Sequence, residues 1–437
     1  MIKAYLELLR LPGASAAAVP AALARLAGTM VPLALLLSCV QSGRSLAVGA
    51  GAGAAYAVGS AVGGPFTGRL MDRSGPSTVL RVSGPVAGLT LASAALWAGS
   101  APTAVALAAA CAAGLATAPV GASMRALWPA LTDDAALRQR AYSFEATLSE
   151  LLFILGPTAV TVLATLAGAR GALLATAVLL GAGGLGYGQA PAVRGRGRRP
   201  APAAAAADPT GRDPGPVRAA ALSVLVAIAL TAALSSGLVV AVTASLRDQG
   251  SAPELAGTLV ALQSAGSVAG GLLYGARTFG GTTYHRYLRL LIVLTLALAA
   301  LPTVRLALDA GLPATWALVL LGVLLVLSGL PMAPAGAEEF QLIGEMTAQG
   351  RATQAFAGVG SFIALGGAAG SAATGLIADR LGPGAALCMP AAFTLAALLL
   401  SLAARRPITR AVSPAPSPAP AAGPTPVPAP EPGENQT

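Results

Sequence analysis

Residues 59–75 read Gly59-Ser-Ala-Val-Gly63-Gly64-Pro-Phe-Thr-Gly68-Arg69-Leu-Met-Asp72-Arg73-Ser-Gly75 and predict a helix with one bare face. The glycines before Arg69 follow one another at i, i+4, i+5 and i+9, so they form a stripe without side chains. Such a stripe lets a second helix approach closely, and close approach is how helices associate in lipid. The polar residues after Met71 and the glycine at position 75 predict the end of this helix.

The same glycine pattern returns in the second half of the chain. Each of four later glycines follows its counterpart by 207 residues: Gly266, Gly270, Gly271 and Gly275. An offset of 211 residues aligns further pairs: Arg140 with Arg351, Gly156 with Gly367, and Gly171 with Gly382. The chain is therefore predicted to contain two copies of one membrane module.

The composition is that of a membrane protein. Of the 437 residues, 55% are hydrophobic and 10% are charged, with a mean hydropathy of +0.73, whereas a soluble domain carries roughly 25% charged residues. The formal charge of +10 does not indicate nucleic-acid binding, because the arginines cluster at helix ends without interleaved aromatic residues. Cys39, Cys111 and Cys388 have no metal-ligand spacing and read as small buried hydrophobic residues.

Apolar runs long enough to cross a bilayer predict an all-α polytopic membrane protein with 12 transmembrane helices in two six-helix pseudo-repeats. The predicted helices span residues 12–40, 46–71, 78–100, 103–124, 143–168, 171–190, 218–245, 254–276, 288–308, 313–334, 354–378 and 384–404. We expect an N-terminal six-helix bundle over residues 1–190 and a C-terminal six-helix bundle over residues 218–405. Residues 191–217 are expected to form a flexible cytoplasmic linker. The Pro- and Ala-rich residues 406–437 predict a disordered cytoplasmic tail.

The distribution of positive charge predicts how the chain lies in the membrane. With the N-terminus in the cytoplasm, 21 Lys and Arg residues fall on the cytoplasmic side and 5 on the outer side, with Arg25 inside a helix. Cytoplasmic loops are enriched in these residues, so both termini are expected in the cytoplasm and the chain in a plasma or inner membrane. Three tryptophans lie near predicted helix ends, where interfacial aromatic residues occur: Trp97, Trp128 and Trp316.

The octapeptide Gly68-Arg69-Leu-Met-Asp72-Arg73-Ser-Gly75 resembles a signature of the major facilitator superfamily, Gly-x-Leu-x-Asp-Arg-x-Gly, found in its loop between helices two and three. The octapeptide follows the second predicted helix, as that signature does, and the resemblance covers residues 1–410 in topology. It implies the superfamily fold. It also implies that Asp72 and Arg73 help to lock a cytoplasmic gate in the outward-open state.

The chain departs from this signature in two places. Pro76 and Ser77 follow Gly75 where the superfamily usually has basic residues, and the second copy has Arg277 but no acid after Gly275. These departures imply a gate on one side only. In helix five, Gly156-Pro157 resembles part of the antiporter signature of drug exporters, although most of the flanking glycines of that signature are missing.

Ionisable residues inside a membrane are costly and mark functional positions, and helix five carries two of them. Glu145 and Glu150 point about 140° apart, so they cannot both face one cavity. Glu145 lies near the cytoplasmic end of the predicted helix and reads as an interfacial charge, or alternatively as a functional one. Glu150 lies about 7.5 Å deeper and must be paired, hydrated in a cavity or protonated. It is the first candidate for proton coupling or substrate contact, with a structural ion pair as the alternative.

Arg25 is expected to pair with Glu150. By the 207-residue offset it lies near the middle of helix one; if that helix begins at Pro20 instead, Arg25 lies shallow and reaches the interface. Arg125, at the end of helix four, reads as a cytoplasmic anchor or as a partner of Asp72 across the gate. Three further acids are expected in a solvated loop before helix eleven: Glu338, Glu339 and Glu345.

These features favour a secondary transporter that moves a small neutral or amphipathic solute by alternating access, because Ala, Gly, Leu and Val dominate its helices. Proton-coupled export is expected, with the proton gradient as the coupling ion source and no cofactor. The expected partners are the lipid bilayer and a small-molecule substrate, without nucleic acid, and the protein is expected to be a monomer. A polytopic membrane enzyme is the alternative, disfavoured by a single His and scattered Cys; a non-transporting sensor of similar fold is another.

Overall fold

A computed structural model of the chain describes residues 7–97, 102–195, 214–249, 255–277, 279–348 and 350–412, which form helices and turns without strands. The helices of the N-terminal half are α1 Ala14–Gln41, α2 Leu46–Ser74, α3 Pro76–Trp97, α4 Thr103–Ala116, α5 Val120–Leu131, α6 Ala135–Gln189 and α7 Pro191–Arg194. Those of the C-terminal half are α8 Pro214–Asp248, α9 Leu255–Gly275, α10 Thr283–Ala299, α11 Thr303–Asp309, α12 Ala314–Gly329, α13 Met332–Met346, α14 Ala352–Leu381, α15 Pro383–Ala386, α16 Met389–Ala403 and α17 Arg405–Val412.

The described helices supply the twelve crossings that the sequence predicts. By length and composition, ten helical segments could span a membrane. One of them, α6, has 55 residues and changes direction at Gly168, whose φ is 73°, so it provides two crossings. The 22-residue α3 provides the twelfth, since about 20 residues suffice. Four crossings are each made by two helices in succession: α4–α5, α10–α11, α12–α13 and α15–α16.

The two glycine stripes make equivalent contacts, as expected for two pseudo-repeats. In each copy, a Cβ atom on two of the glycines would overlap a backbone carbonyl of the neighbouring crossing. The pairs are Gly59 with Cys111, Gly63 with Leu115, Gly266 with Val326, and Gly270 with Leu330. Each carbonyl of the second copy lies 215 residues after its counterpart. Backbones in direct contact hold these helices together where lipid offers no hydrophobic drive.

The stripe does not face a single helix, contrary to the prediction. Gly68 lies against the first turn of α14, where a Cβ atom would come within 3.1 Å of three atoms. Gly271 likewise lies against Thr147 on α6. Gly64 has no atom within 4 Å of its Cβ position, because it lines a cavity between α2, α5 and α14. The glycines therefore serve both the contacts within each half and those between the halves.

Gly63→Ala is expected to lower the free energy of unfolding by about 1–3 kcal/mol, because its methyl group would force two backbones apart. The neighbouring Gly64→Ala makes the same chemical change where space is open, so we expect it to leave stability unchanged or slightly raised. Unfolding of the purified variants in detergent measures both effects. Equal stability of the two variants would contradict the packing described here.

The apolar core differs between the two ends of the bundle. We call the end at which α2 reaches Asp72 the Asp72 end. There one cluster combines residues of both halves, with Ala122, Tyr142 and Ala146 packed among side chains of the C-terminal half. At the opposite end each half has a cluster of its own. The described halves are therefore joined at the Asp72 end.

The predicted end of helix ten at residue 334 is wrong. After the break at Pro331, α13 continues to Met346, so Glu338 and Glu339 lie inside the bundle and not in a solvated loop. They are 0% and 5% exposed, respectively. Glu345, in the last turn of α13, is exposed as expected.

The predicted linker and tail are partly helical. The linker region begins with the short α7, and α8 begins at Pro214; residues 196–213 lie outside the described residues. The tail region begins with α17, because Ile408 and Ala411 pack into the apolar cluster that joins the halves at the Asp72 end. The rest of the predicted tail, residues 413–437, also lies outside the described residues.

Candidate functional site

The carboxylate of Asp72 connects the two halves of the chain. It accepts hydrogen bonds from the backbone amides of Thr353, at 3.1 Å, and Gln354, at 2.9 Å, in the first turn of α14. The N-cap residue of α14 is Arg351, which makes no side-chain cap. Asp72 therefore caps α14 from another helix, and a carboxylate suits that position because free amides and the helix dipole both favour negative charge.

The rest of the octapeptide shapes the chain around this contact. Gly75 has a φ of 83° and ends α2 in a conformation that favours glycine. Gly68 allows α14 to approach. Arg69 and Arg73 are exposed and form no ion pair with the described residues. The locking role that the resemblance implies for Arg73 therefore has no matching contact in the described part of the chain.

Further contacts join the halves between the centre of the bundle and the Asp72 end. The Ser143 hydroxyl on α6 donates to the carbonyl of Gly271 on α9 at 3.0 Å. The Ser361 hydroxyl on α14 donates to the carbonyl of Ala61 on α2 at 2.6 Å. Each half thus contributes a helix to both seams, α2 with α14 and α6 with α9.

A buried ion pair lies inside the N-terminal half. Arg25 on α1 donates to Oε2 of Glu145 at 2.8 Å, and the indole of Trp128 on α5 donates to Oε1 at 3.1 Å. Arg25 also donates to the Ser149 hydroxyl at 2.7 Å. The side chain of Glu145 is 1% exposed and that of Arg25 12%. Because both carboxylate oxygens are bound, this cluster holds α1, α5 and α6 together.

This geometry corrects the predicted pairing. Glu145, and not Glu150, is the partner of Arg25. Glu145 is also buried and not interfacial, because α6 begins at Ala135, capped by Asp134, and Glu145 lies ten residues further along. The sequence predicts that helix five begins at residue 143, and a helix with that start would leave Glu145 too near the membrane surface.

Two further expectations change with the depth of these helices. The shallow alternative for Arg25 is wrong, because α1 begins at Ala14 and continues through Pro20. Trp128 is fully buried and bound to Glu145, so it is not an interfacial anchor. Trp316 is 62% exposed.

Arg125 does not pair with Asp72, contrary to one of the two predicted roles. Its guanidinium carbon lies 4.0 Å from the centroid of the Phe340 ring on α13. Its Nη2 atom donates only a long hydrogen bond, of 3.5 Å, to the Ser149 hydroxyl. The Nε atom is buried without a hydrogen-bond partner among the described residues. Arg125 therefore lies at the seam between the halves, without a carboxylate partner there.

Glu150 lies on the face of α6 that contacts the C-terminal half. It follows Ser143 and Thr147 by seven and three residues, which places all three on one side of the helix. Ser143 and Thr147 both contact Gly271 on α9. The carboxylate of Glu150 is half-buried and forms no hydrogen bond or ion pair with the described residues. It is an unpaired acid at a boundary between the halves.

The C-terminal half has buried acids at positions where the sequence predicts a loop. Glu338 accepts a hydrogen bond from Nε of Arg286 at 2.9 Å and another from the hydroxyl of Tyr274. Glu339 accepts from the hydroxyls of Thr231, at 3.1 Å, and Tyr287, at 3.3 Å, and has no cationic partner among the described residues. The internal repeat held a signal for them, since an offset of 215 residues aligns both acids with positions inside α5.

Two cavities adjoin the break between α4 and α5 at residues 117–119, where Pro119 lacks an amide donor. One cavity, of about 190 Å³, lies within the N-terminal half and is lined in part by Arg25. The other, of about 200 Å³, lies between the halves. Its walls include Ser60, Gly64, Ala122, Arg125, Phe356 and Ser361.

Comparison with known families finds a match in the N-terminal half. A family model described as Major Facilitator Superfamily matches residues 17–225, a region that contains the octapeptide and the Arg25–Glu145 cluster. No curated protein matches the chain.

Solved structures share the fold at low sequence identity. The human organic anion transporter MFSD10 (TETRAN) is 16% identical, with a TM-score of 0.64 over 89% of this chain and 99% of that one. A bacterial homologue of the iron transporter ferroportin in an outward-facing state is 13% identical, with a TM-score of 0.70 over 90% and 99%. The proton:xylose symporter XylE is 14% identical, with a TM-score of 0.61 over 88% and 94%. The similarity extends across both halves of the chain.

Proposed function

Because this chain belongs to the major facilitator superfamily, it is a multi-pass membrane transporter and not an enzyme, and we propose that it exports a small neutral or amphipathic solute in exchange for protons. The solute site lies between the halves and opens to either side in turn as one half rocks against the other. Residues 1–190 and 218–405 are the two moving bodies, and residues 191–217 connect them.

The observation that carries this proposal is the uneven joining of the halves. At the Asp72 end they share a core cluster and the α2–α14 and α6–α9 seams. At the opposite end each half keeps its own core. This arrangement supports one state of an alternating-access cycle, closed at the Asp72 end. To open the Asp72 end, the protein must break a small set of polar contacts, among them the two hydrogen bonds that Asp72 accepts from backbone amides.

We place the Asp72 end in the cytoplasm of the cell, because the loops on that side carry most of the Lys and Arg. In this orientation both termini are cytoplasmic, the membrane is the plasma or inner membrane, and the described state is open outward. The transporter functions as a monomer in the bilayer, with one small-molecule substrate and the proton gradient as its energy source.

Glu150 supports the proton coupling. An ionised carboxylate without a cation is costly at membrane depth, so Glu150 is expected to bind a proton when the α6–α9 boundary is closed and to release it when water enters. Proton transfer then follows the rocking of the halves. The direction of export rests on Gly156-Pro157, which resembles part of an antiporter signature; Gly156 packs directly on Thr29 of α1.

Glu150→Gln is expected to abolish solute flux driven by a pH gradient and to leave solute exchange without a gradient unchanged. Glutamine keeps the size of the side chain but cannot release a proton. We would reconstitute the purified protein in liposomes and measure the net movement of a panel of small fluorescent amphipathic solutes, with and without a gradient.

The matched control for this prediction is Asp133→Asn, which neutralises an exposed acid of the same half and is expected to keep gradient-driven flux. Gradient-driven flux that survives Glu150→Gln would remove Glu150 from the coupling mechanism. A parent protein that moves none of the solutes would instead favour a non-transporting sensor.

A further inference from the structure

We infer that the solute is an amphipathic anion whose acidic group binds Arg125 and whose apolar part packs against Phe356. The inference rests on the proposed transport function and names the solute class for the same site between the halves. Three features of the described residues support it. They are the charge of the side-chain cluster around Ser149, the cavity wall that contains Arg125, and the aromatic residues at the equivalent positions of the C-terminal half.

The first feature is the charge of the cluster around Ser149. Arg25 and Arg125 both donate to its hydroxyl, whereas Glu145 is the one carboxylate that the described residues bring to the cluster. Both oxygens of Glu145 are already bound, by Arg25 and Trp128. A guanidinium held away from water needs a negative partner. The cluster therefore has one positive charge in excess, and that charge belongs to Arg125.

In the described state the guanidinium of Arg125 faces the ring of Phe340 and has no carboxylate partner among the residues that the structure describes. A ring face attracts a guanidinium through its quadrupole, but a carboxylate attracts it more strongly because it offers full charge and two acceptor atoms. The buried Nε of Arg125 has no acceptor among the described residues. An acidic group that enters the cavity can bind the guanidinium through its terminal nitrogen atoms and supply the missing negative charge.

The second feature is the wall that contains Arg125. The cavity of about 200 Å³ between the halves is lined by Ala118, Pro119, Ala122 and Arg125, so the N-terminal end of the 12-residue α5 forms part of the same wall. A helix that begins within the membrane directs the positive end of its dipole at a bound anionic group. The helix dipole of α5 and the side chain of Arg125 thus both favour a negative charge in this cavity.

The third feature is the asymmetry between the two halves. The 215-residue offset aligns Arg125 with Phe340, and the 211-residue offset aligns Glu145 with Phe356. Positions that are charged in the N-terminal half are therefore aromatic in the C-terminal half. Phe356 lines the same cavity as Arg125 and packs on Tyr142, with ring centroids 6.1 Å apart. A solute that fits both walls carries a negative group on one side and a flat apolar body on the other.

The test uses three naphthalene probes of similar size and different charge: 1-naphthoate, 1-naphthamide and 1-naphthylmethylammonium. Their binding to the purified full-length protein in detergent is measured by calorimetry and thermal stabilisation, without any gradient. We expect naphthoate to bind on the order of 10- to 100-fold more tightly than naphthamide, because hydrogen bonds to a charged group are strong. Arg125→Gln is expected to remove this preference while leaving the affinity for naphthamide unchanged.

Two further variants keep the test decisive. Arg81→Gln removes an exposed arginine and is expected to retain the preference for naphthoate. Arg125→Lys keeps the charge but lacks the planar fork, so we expect a reduced preference; it replaces Arg125→Gln if that variant does not fold.

Four outcomes of the binding test would overturn the inference: no binding of naphthoate, equal binding of naphthoate and naphthamide, tighter binding of the ammonium probe, or a preference that survives Arg125→Gln. Each is distinguishable from a failure of the proposed function. Binding is measured without a gradient, so it does not depend on proton coupling. Conversely, if a pH gradient drives the movement of neutral solutes but not of anionic ones, the result would support the transport proposal and contradict the inference.

Discussion

Asp72→Asn is expected to open the Asp72 end of the bundle and to raise the labelling rate of a buried cysteine there about 30-fold. The carboxylate of Asp72 accepts hydrogen bonds from two backbone amides in the first turn of α14. Asparagine offers one acceptor oxygen and no charge, and its NH₂ group would face the second amide, which is also a donor. Hydrogen bonds to charged groups contribute about 1.5–3 kcal/mol, and a loss of about 2 kcal/mol changes a population roughly 30-fold.

Thr353→Cys is a suitable reporter for this change, because the native side chain is 2% exposed and close in size to cysteine. The background replaces Cys39, Cys111 and Cys388 with serine, and a membrane-impermeant maleimide is applied from the Asp72 side. The control is Asp379→Asn, which makes the same substitution at an exposed position near the other end of α14. Equal labelling of the parent and Asp72→Asn would mean that this contact does not hold the gate closed.

The fold could be predicted because its determinants repeat along the chain. Gly59 and Gly266 occupy equivalent positions in two helices, and apolar runs of about 20 residues leave few alternatives to membrane crossings. The described helices and the solved structures of similar fold confirm the twelve-crossing architecture, and the superfamily model matches residues 17–225. The partner of Asp72 cannot be predicted from the sequence, because Thr353 lies 281 residues away and binds through its backbone amide. Every residue except proline has such an amide, so the type of residue at position 353 does not indicate the contact.

The central charges were predicted less well because their depth depends on helix ends. The sequence predicts that helix five begins at residue 143, whereas α6 begins at Ala135. Glu145 is therefore predicted at the membrane surface, and Glu150 as the partner of Arg25. The same error put Glu338 and Glu339 in a loop, although hydroxyl and guanidinium groups from α8, α9 and α10 bind them inside the bundle. Such partners come from distant parts of the sequence, so local pattern does not reveal them.

Glu145→Gln is expected to lower the free energy of unfolding by about 3–5 kcal/mol, the usual cost of removing one partner from a buried ion pair. The substitution leaves Arg25, 12% exposed, without its carboxylate. It also removes the negative charge nearest to Arg125, so two guanidinium groups that share the Ser149 hydroxyl then repel each other. Unfolding of purified protein in detergent, by heat and by denaturant, measures the loss.

The double variant Arg25→Gln/Glu145→Gln separates charge from packing. If the loss comes from the unpaired guanidinium, the double variant is more stable than the sum of the two single losses predicts, by roughly 0.5–3 kcal/mol. The control is Glu7→Gln at the exposed pair of Glu7 with Arg140, also on α6, where we expect a change of at most about 1 kcal/mol. Strictly additive losses would show that Glu145 acts through shape alone. A strong coupling would instead show that Glu145 acts chiefly as the partner of Arg25, as the inferred binding of another anion by Arg125 requires.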